Sequence, residues 1–538
     1  MSAREWMVNR GRKTVVRIQN CFCQQCLVRE AGNAAADLRI EAKQLARQKA
    51  WEHEEARSRQ EAWEQREEER QRVNVTLRIG VFFDGTGNNP ANVEQGIRCG
   101  AHHPIAPEDL DGSCKPYMRD ANSSYGNDFT NIKKLFDLYK RSSKREVIQE
   151  KRKAFQKILV EGIGTQAGAK DSVIGSGIGR GETGVEARVD YAFNQARIAV
   201  QLFRDDYPAM RIGQLTFDVF GFSRGAAAAR HFANLLAKAA NGPLRAALNV
   251  PNVFTAGFTK QYGHGVQVGF IGLFDTVSAV GGLRNLGYVR SASAPGLQLH
   301  LPPELFPRVV QLAARDEYRS NFPLQRVGPE HSEILLPGAH SDVGGGYRDE
   351  VEEQVMLGPM QALDVPVYVD VKNTSIYRDA LQAQARWQAQ GWPLAMLFIV
   401  TPEPVLLPAD PQDRLAPRQK RVYAGLRLKR TVSAGLSRVY LRVMYGLARA
   451  RGVDFDDLDV HQAIYELPPP LQALGERFIA GDYSTTPAEE TLLKRSYIHA
   501  SAHWNPDPLA GPRIGTFALT YLNAPTPDRN RVQHPHTP

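Results

Sequence analysis

The 538-residue sequence predicts an α/β fold: a mostly parallel sheet with helices on both faces. Short apolar runs recur between residues 75 and 336 and indicate buried strands. Longer segments of helical composition separate them, and glycine or polar turn residues directly follow several of the strands. Strands that alternate with helices in this way form parallel pairs, because each helix carries the chain back across the sheet.

The elements of this predicted core follow one another between residues 75 and 350, with loop-rich, glycine-containing stretches among them. The predicted strands are Val75–Phe83, Lys157–Glu161, Leu215–Phe220, Val268–Phe274 and Ile334–Leu336. The predicted helices are Asn131–Tyr139, Val185–Phe203 and Arg224–Ala240.

Three further regions flank the core. Residues 1–74 form a lead and a charged helix, because residues 34–73 contain no Gly or Pro and are rich in strong helix formers. Residues 351–522 are predicted to be a mainly helical region packed on the core, interrupted by proline-rich segments, that could supply membrane-contacting or lid elements. Residues 523–538 are polar and proline-rich, which predicts a disordered tail.

Composition limits where the protein acts and what it binds. The sequence has no apolar run of 18 residues and no secretory signal at its start, so we expect synthesis in the cytoplasm without a signal peptide. The net charge of +9 favours an anionic partner. No nucleic-acid-binding motif accompanies that charge, so nucleic acid is not an expected partner.

Five cysteines are present, and three of them form the pattern C-x-C-x-x-C at Cys21, Cys23 and Cys26. Zinc binding would need a fourth ligand, and no second C-x-x-C or H-x-x-x-H pattern supplies one. Reduced thiols are therefore the favoured interpretation. The odd count also argues against a full disulfide framework.

The pentapeptide Gly221–Gly225 (GFSRG) matches G-x-S-x-G. An apolar strand leads into it and an alanine-rich helix follows it, which is the setting of the nucleophile elbow of α/β-hydrolases. The glycines are needed because a Cβ beside so tight a turn would clash with the strand or the helix. Ser223 is therefore the predicted nucleophile, and the alternative is a glycine-flanked turn with an incidental serine.

A serine nucleophile needs a base and an acid that orients it, and in this fold they follow in the order serine, acid, histidine. Asp275 stands at the end of a predicted strand, on the edge of the sheet where the elbow lies. His340 lies in a loop after another strand, shortly before three glycines. The alternatives are Asp342 as the acid and His231, His499 or His503 as the base.

The oxyanion hole is expected to combine the backbone N–H of Arg224 with one from Gly85 or Thr86 in the loop after the first strand. Asp84 is expected to hold that loop together. Gly179–Gly184 matches G-x-G-x-x-G, but it lies far from its strand and has no acidic partner, which argues against a dinucleotide site. Acyl transfer requires no cofactor, and no sequence pattern supports a calcium site.

Five segments resemble, in this order, the first class of bacterial type VI secretion lipase effectors: FFDGTGNN (82–89), VEGIGT (160–165), FGFSRGAAAAR (220–230), FDTV (274–277) and GAHSDVGGGY (338–347). The resemblance covers about residues 75–350, with a weaker echo at YIHASAHW (497–504). It implies an α/β-hydrolase fold, phospholipase A activity on membrane phospholipids of a rival bacterium, and a triad of Ser223, Asp275 and His340. It also implies delivery by a spike or tube protein, action in the target periplasm or at its membrane, and a cognate immunity protein.

Two other functions fit the sequence: a serine esterase with a non-lipid substrate, and a non-catalytic scaffold that binds a partner through residues 34–73. A separate pattern bears on membrane contact. Apolar side chains at helical spacing are flanked by arginines, which suits either a helix at an anionic lipid surface or a core helix with a solvated basic face. Those apolar residues are Leu436, Tyr440, Val443 and Leu447, and the arginines are Arg438, Arg442, Arg449 and Arg451.

Overall fold

The structure is a computed structural model and describes residues 24–71, 73–142, 152–171, 184–278, 296–408, 417–504 and 523–538. The chain divides into two compact units, Met1–Arg72 and Val73–Pro538. In the first unit, helix α1 (Gln24–Gln71) confirms the predicted helix and begins earlier than expected. Ion pairs one turn apart, such as Arg57–Glu61, lie along it. Cys21 and Cys23 lie outside the described residues.

The second unit contains the remaining elements. Its helices are α2 (Pro90–Cys99), α3 (Asn131–Leu138), α4 (Val185–Asp206), α5 (Arg224–Leu236), α6 (Arg245–Leu248), α7 (His340–Gly344), α8 (Ser375–Ala389), α9 (Gly435–Ala450), α10 (Gln472–Ile479) and α11 (Pro487–Ser496). Its strands are β1 (Val73–Phe83), β2 (Lys153–Val160), β3 (Met210–Phe222), β4 (Val266–Phe274), β5 (Val309–Ala314), β6 (Leu324–Gln325), β7 (Ser332–Leu336), β8 (Glu350–Met356), β9 (Gln361–Pro366), β10 (Leu397–Val400), β11 (Val405–Leu406), β12 (Gln419–Ser433) and β13 (Gln533–His534).

The central sheet has six strands in the order β2-β1-β3-β4-β5-β7, and all five strand pairs are parallel. The predicted α/β class and all five predicted strands are confirmed. The sequence missed β5, in the middle of which lies Gln311. This side chain is fully buried and bonds to Thr276 and the carbonyl of Gln325, so a core strand carries a polar residue and its apolar pattern is broken.

Apolar side chains of β1 and β3 point alternately to the two faces of the sheet, as strand geometry requires. Phe83 and Phe217 pack in the core that α4 and α5 cover. Phe82 and Phe220 stack at 4.9 Å in the opposite core, which α3 and α9 cover. The sheet is therefore buried on both sides, as predicted.

Helix α9 carries the basic amphipathic pattern, and its apolar face is buried in the core. Leu436 and Tyr440 are fully buried, and Val443 is 2% exposed. The lipid-surface interpretation of this helix was therefore wrong, because the protein itself covers the apolar side chains. Among the described helices, none is both long and apolar enough to cross a bilayer.

The C-terminal region adds a second sheet to its helices. The long strand β12 pairs antiparallel with β8, β9, β10 and β11. The prediction of a disordered tail was wrong, because β13 pairs parallel with β6 through Gln533–Leu324 and His534–Gln325. Polar and charged contacts hold the tail, and these leave no apolar pattern in the sequence.

A disulfide bond joins Cys99, at the end of α2, to Cys114. It lies in a small satellite core with Met118 and Tyr125. Five cysteines cannot all pair within one chain, but the structure pairs these two.

Candidate active site

The functional side chains stand where parallel strands end at one edge of the sheet. The register places Phe83 of β1 opposite Gly221 of β3, and Phe222 of β3 opposite Phe274 of β4. Asp84, Ser223 and Asp275 are the residues that follow these three strands. The strand order reverses between β1 and β3, and such a switch point forms a crevice outside the strand ends in open α/β sheets.

Ser223 occupies a strained turn between β3 and α5, with φ 60° and ψ −128°. A Cβ on Gly221 would lie 2.6 Å from the Cα of Ala226, and one on Gly225 would lie 2.3 Å from the carbonyl oxygen of Asp84. Both neighbours are backbone atoms that cannot move aside. The two glycines of G-x-S-x-G are therefore sterically required here, as the sequence predicts.

The ring of Phe222 supports the elbow and connects it to the base. A Cβ on Gly344 would lie 2.1 Å from this ring, so the glycine at the end of α7 allows that helix to approach it. His340, the first residue of α7, lies against the same ring with the centroids 4.7 Å apart. The imidazole is thus held beside the residue that precedes Ser223.

Asp275 and His340 form a buried pair. The distance between Asp275 Oδ2 and His340 Nδ1 is 2.5 Å, and the side chains are 0% and 5% exposed. Asp275 has φ 45°, a second strained non-glycine residue at a strand end. Within the described ranges no hydrogen bond joins the Ser223 hydroxyl to His340; such bonds often tighten only in the substrate complex.

The electrostatics of the pair suit a neutral base beside an ionised acid. Burial by itself raises the pKa of Asp275, but the charge of Arg531 and hydrogen bonds from His340 and Arg531 outweigh it and hold that pKa far below its usual value. Burial lowers the pKa of His340, and Asp275 opposes this only in part. The imidazole is therefore neutral at neutral pH and can accept a proton.

Two ion pairs that the sequence analysis missed surround the acid and the base. Glu317 Oε2 accepts from the His340 backbone N–H at 3.2 Å and from Arg319 Nη2 at 2.8 Å. Arg531, in the tail, donates to both carboxylate oxygens of Asp275. No local motif marks these residues, because their partners are distant in sequence.

The rival acid and bases are engaged elsewhere. Asp342 Oδ1 lies 2.6 Å from His499 Nδ1, so this carboxylate pairs with a different histidine. His503 Nδ1 lies 2.9 Å from the carbonyl oxygen of Ala500. His231 Nδ1 accepts the N–H of Gln298 at 3.0 Å. Of these histidines, only His340 contacts Asp275.

The loop after β1 lies directly on the elbow, where a second oxyanion donor is needed. The N–H of Gly85 donates to Asp84 Oδ1 at 2.8 Å, so this predicted donor is already committed. Asp84 Oδ1 also accepts from Thr130 Oγ1 at 2.6 Å, and burial raises the pKa of Asp84 to about 7. Of the two predicted loop donors, Thr86 therefore remains the candidate to act with the N–H of Arg224, the first residue of α5.

One group of side chains outside this site could suit a metal ion by residue type. Ligand atoms of His300, Glu330 and His536 lie within 4.8 Å of one another. However, the N–H of Leu301 donates to His536 Nε2 at 2.9 Å, which places the ring proton on Nδ1, where it bonds to Glu330 Oε2 at 2.6 Å. A metal at Nδ1 would leave the ring without a proton, so the group fits a hydrogen-bonded cluster better. The G-x-G-x-x-G stretch lies, except for Gly184, outside the described residues.

The chain is similar to known proteins in sequence and in fold. Residues 240–365, which include Asp275 and His340, match a sequence model of the type VI secretion phospholipase effector Tle1-like catalytic domain. A solved structure of the Tle1 effector bound to the VgrG spike of the type VI secretion system is 29% identical, with a TM-score of 0.66, and the match covers 86% of this chain and 94% of that one.

More distant comparisons add nothing to the assignment. A crystal structure of an uncharacterized protein from Pseudomonas aeruginosa is 21% identical over 52% of this chain and 42% of its own, with a TM-score of 0.29, and supports no inference. No curated protein sequence matches the chain. The family match and the fold together confirm the predicted resemblance: over residues 240–365 in sequence, and over most of its length in fold, this chain is similar to the type VI secretion lipase effectors.

Proposed function

We propose that this protein is a serine phospholipase A that cleaves acyl esters of membrane phospholipids. The observation that carries the proposal is the buried Asp275–His340 pair beside the strained turn of Ser223, at the edge where β3 and β4 end. A phospholipid substrate is supported by the Tle1-like phospholipase domain, within which the acid and the base fall.

The first half of the reaction acylates the serine. Neutral His340 takes the proton of Ser223 Oγ at Nε2, because its Nδ1–H is held by Asp275. The oxygen attacks the ester carbonyl, and the N–H groups of Arg224 and Thr86 stabilise the oxyanion. The tetrahedral intermediate then breaks its bond to the glycerol oxygen, which leaves with the proton from His340.

The second half releases the fatty acid. A water molecule gives a proton to His340 and attacks the acyl-enzyme, and collapse of the second intermediate returns that proton to Ser223 Oγ. Asp275 stays ionised throughout and stabilises the imidazolium, as its strongly lowered pKa requires.

The family also supplies proposals for delivery and partners. We propose export by a type VI spike or tube protein, action in the periplasm or at the membrane of the target cell, and neutralisation by an immunity protein in the producer. The spike is supported by the similarity to the Tle1 effector whose structure holds the VgrG spike.

The test is fatty-acid release from vesicles of phosphatidylethanolamine and phosphatidylglycerol by the full chain, with acyl chains labelled separately at the two glycerol positions. Ser223→Ala is expected to lower kcat by about 10⁴-fold or more, because the nucleophile is lost. Ser341→Ala, which removes the hydroxyl beside the base, is the matched control and should retain activity. A short-chain ester is measured in parallel.

Each result separates the proposal from an alternative. Release that depends on Ser223 supports the phospholipase, and the labelled position names the bond. Serine-dependent cleavage of the short ester alone would replace the lipid substrate with a soluble one. No cleavage of either substrate by folded protein, with capture of a partner by residues 1–74, would favour the scaffold.

A further inference from the structure

The C-terminal tail reaches the carboxylate that orients the base. Arg531 Nη1 donates to Asp275 Oδ1 at 2.6 Å, and Nη2 donates to Oδ2 at 2.8 Å. The third guanidinium nitrogen, Nε, donates to the carbonyl oxygen of Phe322 at 2.7 Å. The side chains of Arg531 and Asp275 are 5% and 0% exposed, so this ion pair is shielded from solvent.

We propose that Arg531 is a positioning residue of the active site, which fixes both oxygens of Asp275 so that one of them faces His340, and that residues 523–538 are therefore required for catalysis. This inference rests on the proposed function only for its effect on rate. The hydrogen bonds between Arg531 and Asp275 do not depend on the proposed function.

The tail is held tightly enough to position a side chain. Before Arg531, the N–H of Thr526 donates to the carbonyl of Tyr318 at 2.9 Å. After it, the N–H of Leu324 donates to Val532 at 2.8 Å, and that of Arg326 donates to His534 at 2.9 Å. Backbone bonds on both sides of Arg531 thus fix its Cα, and the fork of the guanidinium fixes the carboxylate.

Asp275 accepts four hydrogen bonds, two on each oxygen. Oδ1 receives the N–H of Ala314 at 2.9 Å and Arg531, and Oδ2 receives His340 and Arg531. Without Arg531, each oxygen would keep one donor, and the buried carboxylate would lack its cation. The aspartate could then rotate or take up a proton, and either change would disturb the orientation of the imidazole.

Arg531 also bears on the protonation of the base. Its charge cancels much of the negative charge that Asp275 presents to His340, so it disfavours the imidazolium. The other charged groups that face the base are Arg319, which disfavours the imidazolium, and Glu317, which favours it. Asp342 and His499 pair with each other. Removal of Arg531 should therefore let the Asp275–His340 pair bind a proton at higher pH.

The experiment compares Arg531→Ala, Arg531→Lys and Arg529→Ala in the full chain. Arg529 is two residues earlier and exposed, and its guanidinium lies over the ring of Trp387 at 5.2 Å, so its variant removes the same charge from the same tail without touching Asp275. For each variant, kcat and kcat/KM on a short-chain ester are measured against pH, together with thermal stability.

Arg531→Ala is expected to lower kcat by about 10²-fold through misplacement of the base, and to move the acid limb of kcat/KM upward by about one pH unit. Arg531→Lys should restore the acid limb but only part of the rate, because it keeps the charge and loses the fork. Arg529→Ala should behave like the unchanged protein. A folded Arg531→Ala with unchanged rate and pH profile would overturn the proposal.

A readout independent of activity separates this inference from the proposed function. The titration of His340 is followed by NMR of ¹⁵N-histidine protein and assigned with His340→Asn. If the pKa of His340 is higher in Arg531→Ala but the protein hydrolyses no ester, the proposed function is refuted and the electrostatic coupling between Arg531 and His340 is supported. If His340 has the same pKa in Arg531→Ala and in the unchanged protein, the inference is refuted even if the enzyme is active.

Discussion

The nucleophile and the acid–base pair share one edge of the sheet but are built in different ways. The turn at Ser223 depends on its immediate neighbours. Two glycines leave room for nearby backbone atoms, and a strand and a helix meet at the turn. The Asp275–His340 pair depends on residues brought from afar, among them Glu317 and Arg531. One half of the site is held by local packing, and the other by buried charges.

This difference determines how each half should fail. A local steric defect at the elbow disturbs both the backbone and the fold around it. Loss of a charge around the acid leaves the backbone in place but changes the orientation and protonation of the Asp275 and His340 side chains. Substitutions in the two halves should therefore separate effects on stability from effects on the pH profile.

The largest expected effect distinguishes the two carboxylates near the base. Asp275→Asn should lower kcat by about 10⁴-fold, because the amide cannot hold the imidazole in the required tautomer. Asp342→Asn removes a carboxylate that accepts the backbone N–H groups of Ala339 and His499, so it should cost about 1–3 kcal/mol of stability. Its kcat should stay within about tenfold of the unchanged protein. Esterase kinetics measure kcat and thermal unfolding measures stability for the two variants. A larger loss of kcat in Asp342→Asn than in Asp275→Asn would make Asp342 the acid.

The next effect tests the steric half. Gly225→Ala places a Cβ 2.3 Å from the carbonyl oxygen of Asp84 and should separate the elbow from the end of β1. We expect a loss of about 10²-fold in kcat and of about 1–3 kcal/mol in stability. Gly446→Ala, in α9, meets nothing within 4 Å and should stabilise the helix by about 0.5–1 kcal/mol. Normal kinetics in Gly225→Ala would show that the contact can relax.

The smallest effect concerns pH in the unchanged protein. His340 must be neutral to take the proton of Ser223, and burial lowers its pKa from the ordinary value of 6.5. As a result, kcat/KM on a soluble ester should be constant near neutral pH and fall about tenfold per pH unit below a midpoint under 6.5. A midpoint above pH 7 would mean that Asp275 outweighs burial.

The sequence predicted the part of the site that neighbouring residues determine. The strand, the glycines and the alanine-rich helix around Ser223 lie within one short segment, and the order of motifs led to Asp275 and His340. The structure brings these two together at 2.5 Å. Their catalytic roles remain predictions.

Long-range contacts could not be predicted in the same way. The tail appears disordered from its composition because Arg531 is polar and flanked by proline-rich sequence, and its partner Asp275 lies 256 residues earlier. Strand β5 was missed because buried Gln311 breaks its apolar run. In both cases, polar groups satisfied by distant partners replace the apolar pattern on which sequence reasoning depends.

The Cys99–Cys114 bond ties the stability of this protein to the redox state of its surroundings. The bond closes a loop across a separation of 15 residues, and a cross-link of that span contributes about 3 kcal/mol in the chain-entropy account. Thiols stay reduced in the cytoplasm and become oxidised in the periplasm. A chain that moved from a reducing to an oxidising compartment would gain this cross-link on arrival, so it would resist unfolding better in the second compartment than in the first.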